Sequence, residues 1–165
     1  MKIRNLYNFG TTSIKRRKGV SKSLILASER ALKCSPVDFG VPVDGGLRIA
    51  TRQNWLFKKG WSKADGFEKL SFHQKVDDEG KGQALDLVPF IIGLGLDYEA
   101  EGRFGMIIML MLEAWEELQE EGFIPNDLYL HCGGLWGNKN NDLSRLGWDL
   151  AHYEIRDYEQ IQRLI

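Results

Sequence analysis

The sequence predicts an α+β fold: one small antiparallel sheet with helices packed on it. Three observations lead there. Three segments carry apolar residues at helical spacing. Short strand-like runs are scattered among and after these helices instead of alternating with them. The chain has 165 residues, which favours a single domain over 1–165 with one core.

The first helix is expected from about Ser21 to Lys33, where Leu24, Ala27, Ala31 and Leu32 recur at three- and four-residue spacing. Gly19 marks a break before it, Ser21 or Ser23 can cap its start, and Ser35-Pro36 ends it, because the residue before proline leaves the helical region. Val37 to Val43 reads as a short strand running into the turn Asp44-Gly45-Gly46. Thr51 to Lys59 is the second helix, with Trp55 and Leu56 on its apolar side and Gly60 at its end. After a polar loop, Ala84 to Val88 reads as a strand. Arg103 to Glu121 is the third helix, apolar in its first half, acidic in its second, and stopped by Gly122. Leu128 to His131 and His152 to Ile155 are further strands. Their order and pairing do not follow from the pattern.

Composition is that of a soluble globular protein, 43% apolar and 27% charged. No run reaches the ~20 apolar residues of a membrane span, so no membrane insertion is expected. The first ten residues lack the apolar core of a secretory signal, and the protein is expected to be made in a host cytoplasm. The net charge of −1 hides an asymmetry, with 14 Lys/Arg against three acids through Lys63 and 8 against 20 beyond it. The basic run Lys15 to Lys18 could meet an anionic polymer, or its charge could be offset by the acidic half of the same fold. No recognition motif accompanies it, so no nucleic-acid partner is expected. Cys34 and Cys132 make no disulfide framework and are expected to be buried thiols.

The residues that could carry chemistry are few. There are three histidines: His73, His131 and His152. If Tyr153 and Ile155 share one strand face, His152 and Glu154 share the other. Asp149 lies three residues before His152. Asp86 sits inside an otherwise apolar strand, where a carboxylate is costly unless it is paired or holds a metal. Two imidazoles and one carboxylate suit Zn²⁺ and leave a fourth position open for water, which points to catalysis. No helical HExxH-type signature is present.

Four blocks stand in order along the chain: GLRIATRQNWLFKKGWS from Gly46, SFHQ followed by GQALDLVPF, CGGLWG, and DLAHYE. They are similar, in turn, to the patterns G.R…Q..LY..G.S, S.H..G.A.D, GG.W and D..H.E. In that order they resemble the zinc peptidase family of D-Ala-D-Ala carboxypeptidases and phage L-Ala-D-Glu endolysins, which has the Hedgehog/DD-peptidase fold. Residues 21 to 39 also look like the helix and strand that open the endolysin branch. The resemblance implies that His73, Asp86 and His152 bind Zn²⁺, that Asp149 is the catalytic acid/base, and that Arg48 meets the substrate near its scissile carbonyl. Ser71 and Gln53 fall on recurrent motif positions, as site support or substrate contact. Glu154 is expected to orient a neighbouring ligand.

One departure stands out: His73 and Asp86 are 13 residues apart, about twice the family spacing, with Lys75 to Gly80 inserted. A loop of this size costs little to close. Its acids, Asp77 to Glu79, are either a solvated loop or a collector of a second cation, and 137–147 is expected to be a loop shaping a substrate groove. The reading is thus a peptidoglycan peptidase acting on the stem peptide as a monomer after release from the cell. An L-Ala-D-Glu endolysin is favoured, with a D-Ala-D-Ala carboxypeptidase or a non-catalytic zinc or cell-wall-binding domain as alternatives.

Overall fold

The computed structural model describes residues 6–136 and 147–157. In chain order the elements are α1 (Thr11–Arg16), α2 (Lys22–Cys34), β1 (Phe39–Gly40), α3 (Ala50–Lys58), β2 (Ala84–Asp86), β3 (Val88–Ile91), β4 (Gly95–Leu96), α4 (Glu101–Glu120), β5 (Leu128–Cys132), a 3₁₀ turn (Gly133–Leu135) and β6 (His152–Asp157). The expected α+β class is borne out, with the sheet divided in two. One antiparallel sheet runs β1-β3-β4 and the other β2-β6-β5. The expected strand Ala84 to Val88 breaks at Leu87, a fully buried residue whose N–H donates to Ala151 O at 2.9 Å. There the chain leaves one sheet for the other.

The core lies between α2, α4 and the inner face of β2-β6-β5. Leu24, Leu32, Phe39, Leu85, Ile107, Met111, Trp115 and Tyr153 are its large members. Burying such side chains contributes about 1.5–3 kcal/mol each before conformational entropy is counted. On β6 the alternation works as expected: Tyr153 and Ile155 face this core, while His152 and Glu154 face each other's partners on the opposite side.

The acids at the end of α4 oppose its dipole. Arg30 of α2 offsets them, donating to both oxygens of Glu121 at 2.6 and 2.7 Å and to Glu117 at 3.5 Å. Some of the charge asymmetry is therefore resolved inside the fold. The basic run is likewise partly structural. Arg17 is buried, pairs with Glu29 at 2.5 Å and stacks on Phe9, while Arg16 donates to Val41 O at 2.9 Å.

Three local expectations are corrected. Ser21 is the residue before α2, but its side chain makes no capping bond. The strand expected over Val37 to Val43 is paired only at Phe39–Gly40. The buried residue of α3 is Gln53, whereas Trp55 is 38% exposed. The short helix α1, with no buried residue, was not anticipated. Cys34 and Cys132 are buried and unbridged, and burial pushes both thiols up. Among the described residues no helix is long and apolar enough to cross a membrane.

Candidate metal centre and active site

Strand register places two of the three expected ligands directly opposite each other: Asp86 on β2 pairs with His152 on β6. His73 arrives from a turn that its own neighbours hold. Ser71 Oγ accepts the His73 N–H at 3.1 Å, Gln74 Oε1 accepts the Ser71 N–H at 3.2 Å, and Arg48 N–H donates to His73 O at 2.9 Å. The inserted residues do not push His73 away. They fold back as a small hairpin, with Asp77 N–H to Lys81 O at 3.0 Å and Gln83 N–H to Lys75 O at 3.0 Å. Asp77 Oδ1 accepts the N–H groups of Glu79 and Lys81, so that carboxylate closes a turn. Among the described residues, only His73, Asp86 and His152 group as potential metal ligands.

The three donor atoms form a nearly equilateral triangle. His73 Nε2 lies 3.0 Å from Asp86 Oδ1, His152 Nδ1 lies 3.0 Å from the same oxygen, and the two nitrogens are 3.2 Å apart. The centre of such a triangle is roughly 1.8 Å from each corner, close to the roughly 2.0–2.2 Å at which zinc holds nitrogen and oxygen. The outer partners decide which ring nitrogens face inward. His73 Nδ1 lies 2.8 Å from Gly46 O, and His152 Nε2 lies 3.0 Å from Glu154 Oε2. Both of these partners accept only, so each neutral ring carries its proton on the outer nitrogen. With both rings neutral, two lone pairs and a carboxylate oxygen converge with no hydrogen among them. That donor set fits a divalent ion.

The electrostatics agree. Burial pushes His73 down, against the opposing pull of Asp86. Burial also pushes His152 down, but hydrogen bonds to Asp86 and Glu154 outweigh it and bring the group to about 10. Asp86 and Glu154 resist their own burial because histidines and arginines surround them, and both are held well below the usual carboxylate range. The site carries a surplus of negative charge that a proton on His152 or a cation at the triangle's centre can satisfy, so the two compete.

Around this triangle the other expected residues take distinct places. Arg48 Nη2 donates to Asp86 Oδ2 at 2.6 Å, Nε to Asp44 O at 2.5 Å and Nη1 to Gln53 Oε1 at 3.3 Å. It thus grips the Asp86 carboxylate from behind while lining the cleft. Gln53, fully buried, braces Arg48 and ties Ser62 Oγ and Ala64 O into the wall. Asp149 lines the same cleft, and its carboxylate has no hydrogen-bond partner among the described residues. Burial raises its pKa, and Asp86 and Glu154 raise it further against the pull of His152 and Arg48. Gly133 lets Asp149 sit there: a Cβ would meet Asp149 O at 2.4 Å and the Cβ atoms of Asp149 and His152 at 3.1 Å.

Sequence reasoning did not reach the layer behind Glu154. His131 Nδ1 lies 3.1 Å from Glu154 Oε1, Arg156 Nε donates to that oxygen at 2.6 Å, and Trp136 Nε1–H donates to His131 Nδ1 at 2.9 Å. The two contacts of His131 Nδ1 require opposite protonation of that atom, so only one is a hydrogen bond at a time. Strand alternation from His152 would have put Arg156 on this face, but the pairing of His131 with Glu154 depends on the β5–β6 register. The cleft over the triangle has a volume of about 840 Å³. Of the groove loop expected over 137–147, all but Gly147 lies outside the described residues.

Comparison with known proteins adds the family. Residues 5–155 match the family model of the phage L-alanyl-D-glutamate peptidase. Among solved structures, the L-Ala D-Glu endopeptidase ChiX of Serratia marcescens is similar in fold, with a TM-score of 0.60 over 90% of each chain at 23% identity. No curated protein matches the sequence. The family match runs through every block that carries the site, and the chain belongs to the phage L-alanyl-D-glutamate peptidases, enzymes that hydrolyse a peptide bond of peptidoglycan.

Proposed function

We propose that this peptidoglycan peptidase is a zinc enzyme that cuts the L-Ala–D-Glu bond of the stem peptide, with the ion held by His73, Asp86 and His152. The observation that carries this reading is the triangle of three donor atoms, two ring nitrogens and a carboxylate oxygen, with edges of 3.0, 3.0 and 3.2 Å, in the wall of an open cleft. Zinc bound there supplies Lewis acidity, which polarises a carbonyl and brings the pKa of water near neutrality. Asp149 takes the proton of the attacking water and returns it to the departing amine. Its raised pKa suits both halves of that task, because a group that holds a proton more tightly is a better base and then a competent acid. Arg48 fixes the orientation of Asp86 and offers its guanidinium to the charge that develops on the carbonyl oxygen. Ser71 and Gln53 support the site through His73 and Arg48. The enzyme works as a single-domain monomer, made in the host cytoplasm and released to the wall.

Digestion of purified peptidoglycan, with mass spectrometry of the products, tests the bond. Stem peptides cut after their first residue are expected, and release of free D-alanine would instead indicate a carboxypeptidase. Chelation should abolish activity and zinc should restore it. Retained turnover in a protein shown by elemental analysis to be metal-free would refute the zinc assignment.

The layer behind the ligands gives two further expectations. Glu154→Gln should weaken zinc binding by about 10–100-fold, because one amide oxygen cannot accept from both His152 and Arg156 and the negative charge behind the His152 ring is gone. His131→Ala should leave the ion bound at full stoichiometry, since its nitrogen faces Glu154 and not the triangle. Competition titration with a chromophoric chelator reads both. Unchanged affinity in the first variant, or metal loss in the second, would reverse the roles assigned to these residues.

A further inference from the structure

The cleft wall away from the ligands carries aromatic surface that the hydrolytic chemistry does not use. Trp61 is 68% exposed and Trp148 is 62% exposed, and both line the same cleft as the His73–Asp86–His152 triangle. Trp61 and the part-exposed Trp55 touch and form one contiguous apolar patch, and contiguous exposed patches mark interaction surfaces. These rings are also braced. The Trp61 and Trp55 rings meet nearly at right angles, with a centroid distance of 5.5 Å and an interplanar angle of 80°. The Arg52 guanidinium lies 4.1 Å from the centre of the Trp55 ring and pairs with Asp44 at 2.6 Å. Trp148 stands 5.1 Å from Trp136, and Lys63 Nζ lies 4.9 Å from the Trp148 centroid. A ring held in place before its ligand arrives loses little entropy on binding.

We propose that this wall, with Trp61 as its principal face, is a saccharide subsite that holds the amino sugar to which the scissile peptide is attached. The inference rests on the reading of the cleft as the place where the L-Ala–D-Glu bond is cut. In peptidoglycan the amine of that L-alanine is joined through a lactyl group to N-acetylmuramic acid. The sugar therefore lies one residue and one short linker from the reacting carbonyl, and a cleft that accommodates the bond must also meet the sugar or exclude it. A pyranose ring presents a face of polarised C–H groups, which matches the negative face of an indole. Its hydroxyl and acetamido groups need water or polar partners at their edges, and the wall is polar there: Ser62 and Lys63 follow Trp61 in the cleft lining. A purely peptidic ligand of small and acidic residues has no comparable flat face for an exposed indole.

The test compares two substrates of zinc-loaded enzyme: a soluble muropeptide that keeps its disaccharide, and the same stem peptide with an N-acetyl group in place of the sugar. The wild type should favour the muropeptide by about tenfold or more in kcat/KM, mostly through KM. Trp61→Ala should bring that ratio close to one, and Trp61→Phe should retain most of it. Circular dichroism should show unchanged folding, because the ring is exposed. A wild-type enzyme that cuts both substrates equally, or a Trp61→Ala variant that keeps the full ratio, overturns the subsite. Failure to cleave either substrate would instead overturn the assignment of the bond, and the subsite with it.

Discussion

Asp149→Asn should bind zinc like the wild type and lose roughly 100- to 10,000-fold in kcat, the usual worth of a positioned general acid/base. The substitution is nearly isosteric, and the carboxylate it replaces has no hydrogen-bond partner among the described residues to lose. An amide oxygen, however, cannot accept the water's proton and pass it to the leaving amine. Stability gives an independent sign. Burial, with Asp86 and Glu154 nearby, raises the Asp149 pKa. The folded state therefore binds this proton more tightly than the unfolded chain does, and ionisation at neutral pH costs stability that is regained as the solution is acidified. In metal-free protein at pH 7 the variant should melt at the same temperature as the wild type or higher. Fragment release under saturating substrate, elemental analysis and thermal melts check the three parts. Turnover within a few-fold of the wild type would remove Asp149 from the mechanism.

The sequence carried the helices that bury an apolar face, because helical periodicity is local: α2 and α4 are found within two residues of where the apolar spacing places them, while α1, with no buried residue, left no such signal. It carried the strands less well, because the length of a strand depends on a distant partner. Val37 to Val43 has the composition of a strand, yet only Phe39 and Gly40 find pairing, opposite Pro89 and Val88. The α3 error has a different origin. Its tryptophan was assigned inward on hydrophobicity, but the position facing the interior is taken by Gln53, which the Arg48 network requires.

The chemistry was legible where burial made it expensive. Asp86 in an apolar strand demanded compensation, and the fold supplies Arg48, His73 and His152 around it. The supporting layer was hidden because it is written in register. His131 sits opposite Glu154 only through the β5–β6 ladder, and Arg156 joins the same carboxylate two residues further along β6. Arg48 was expected at the substrate carbonyl from the motif alone. The fold adds a charge-assisted contact with the Asp86 carboxylate, so Arg48 holds Asp86 in addition to whatever it offers a substrate.

That task makes Asp86→Asn the most damaging single change. Its effect on metal should exceed the roughly 100-fold that losing an outer partner costs, because a charged ligand itself is gone. The variant should also be unstable without any metal. Arg48 and Asp86 are each 14% exposed in their side chains and meet at 2.6 Å. Removing one member of such a pair leaves a desolvated charge, at a cost on the order of 3 kcal/mol. For a domain of this size, at about 2–4 °C per kcal/mol, the melting temperature should fall by roughly 6–12 °C. His152→Ala provides the contrast. It should also lose zinc, but it leaves the Arg48–Asp86 pair intact and should therefore melt higher than Asp86→Asn in chelator. If Asp86→Asn bound zinc with wild-type affinity, the ion would have to be held by other side chains. If it melted like the wild type, the guanidinium would have found another partner and Asp86 would have no structural part. The two measurements separate the carboxylate's oxygens: Oδ1 faces the ring nitrogens and bears on metal affinity, while Oδ2 faces Arg48 and bears on the stability of the wall.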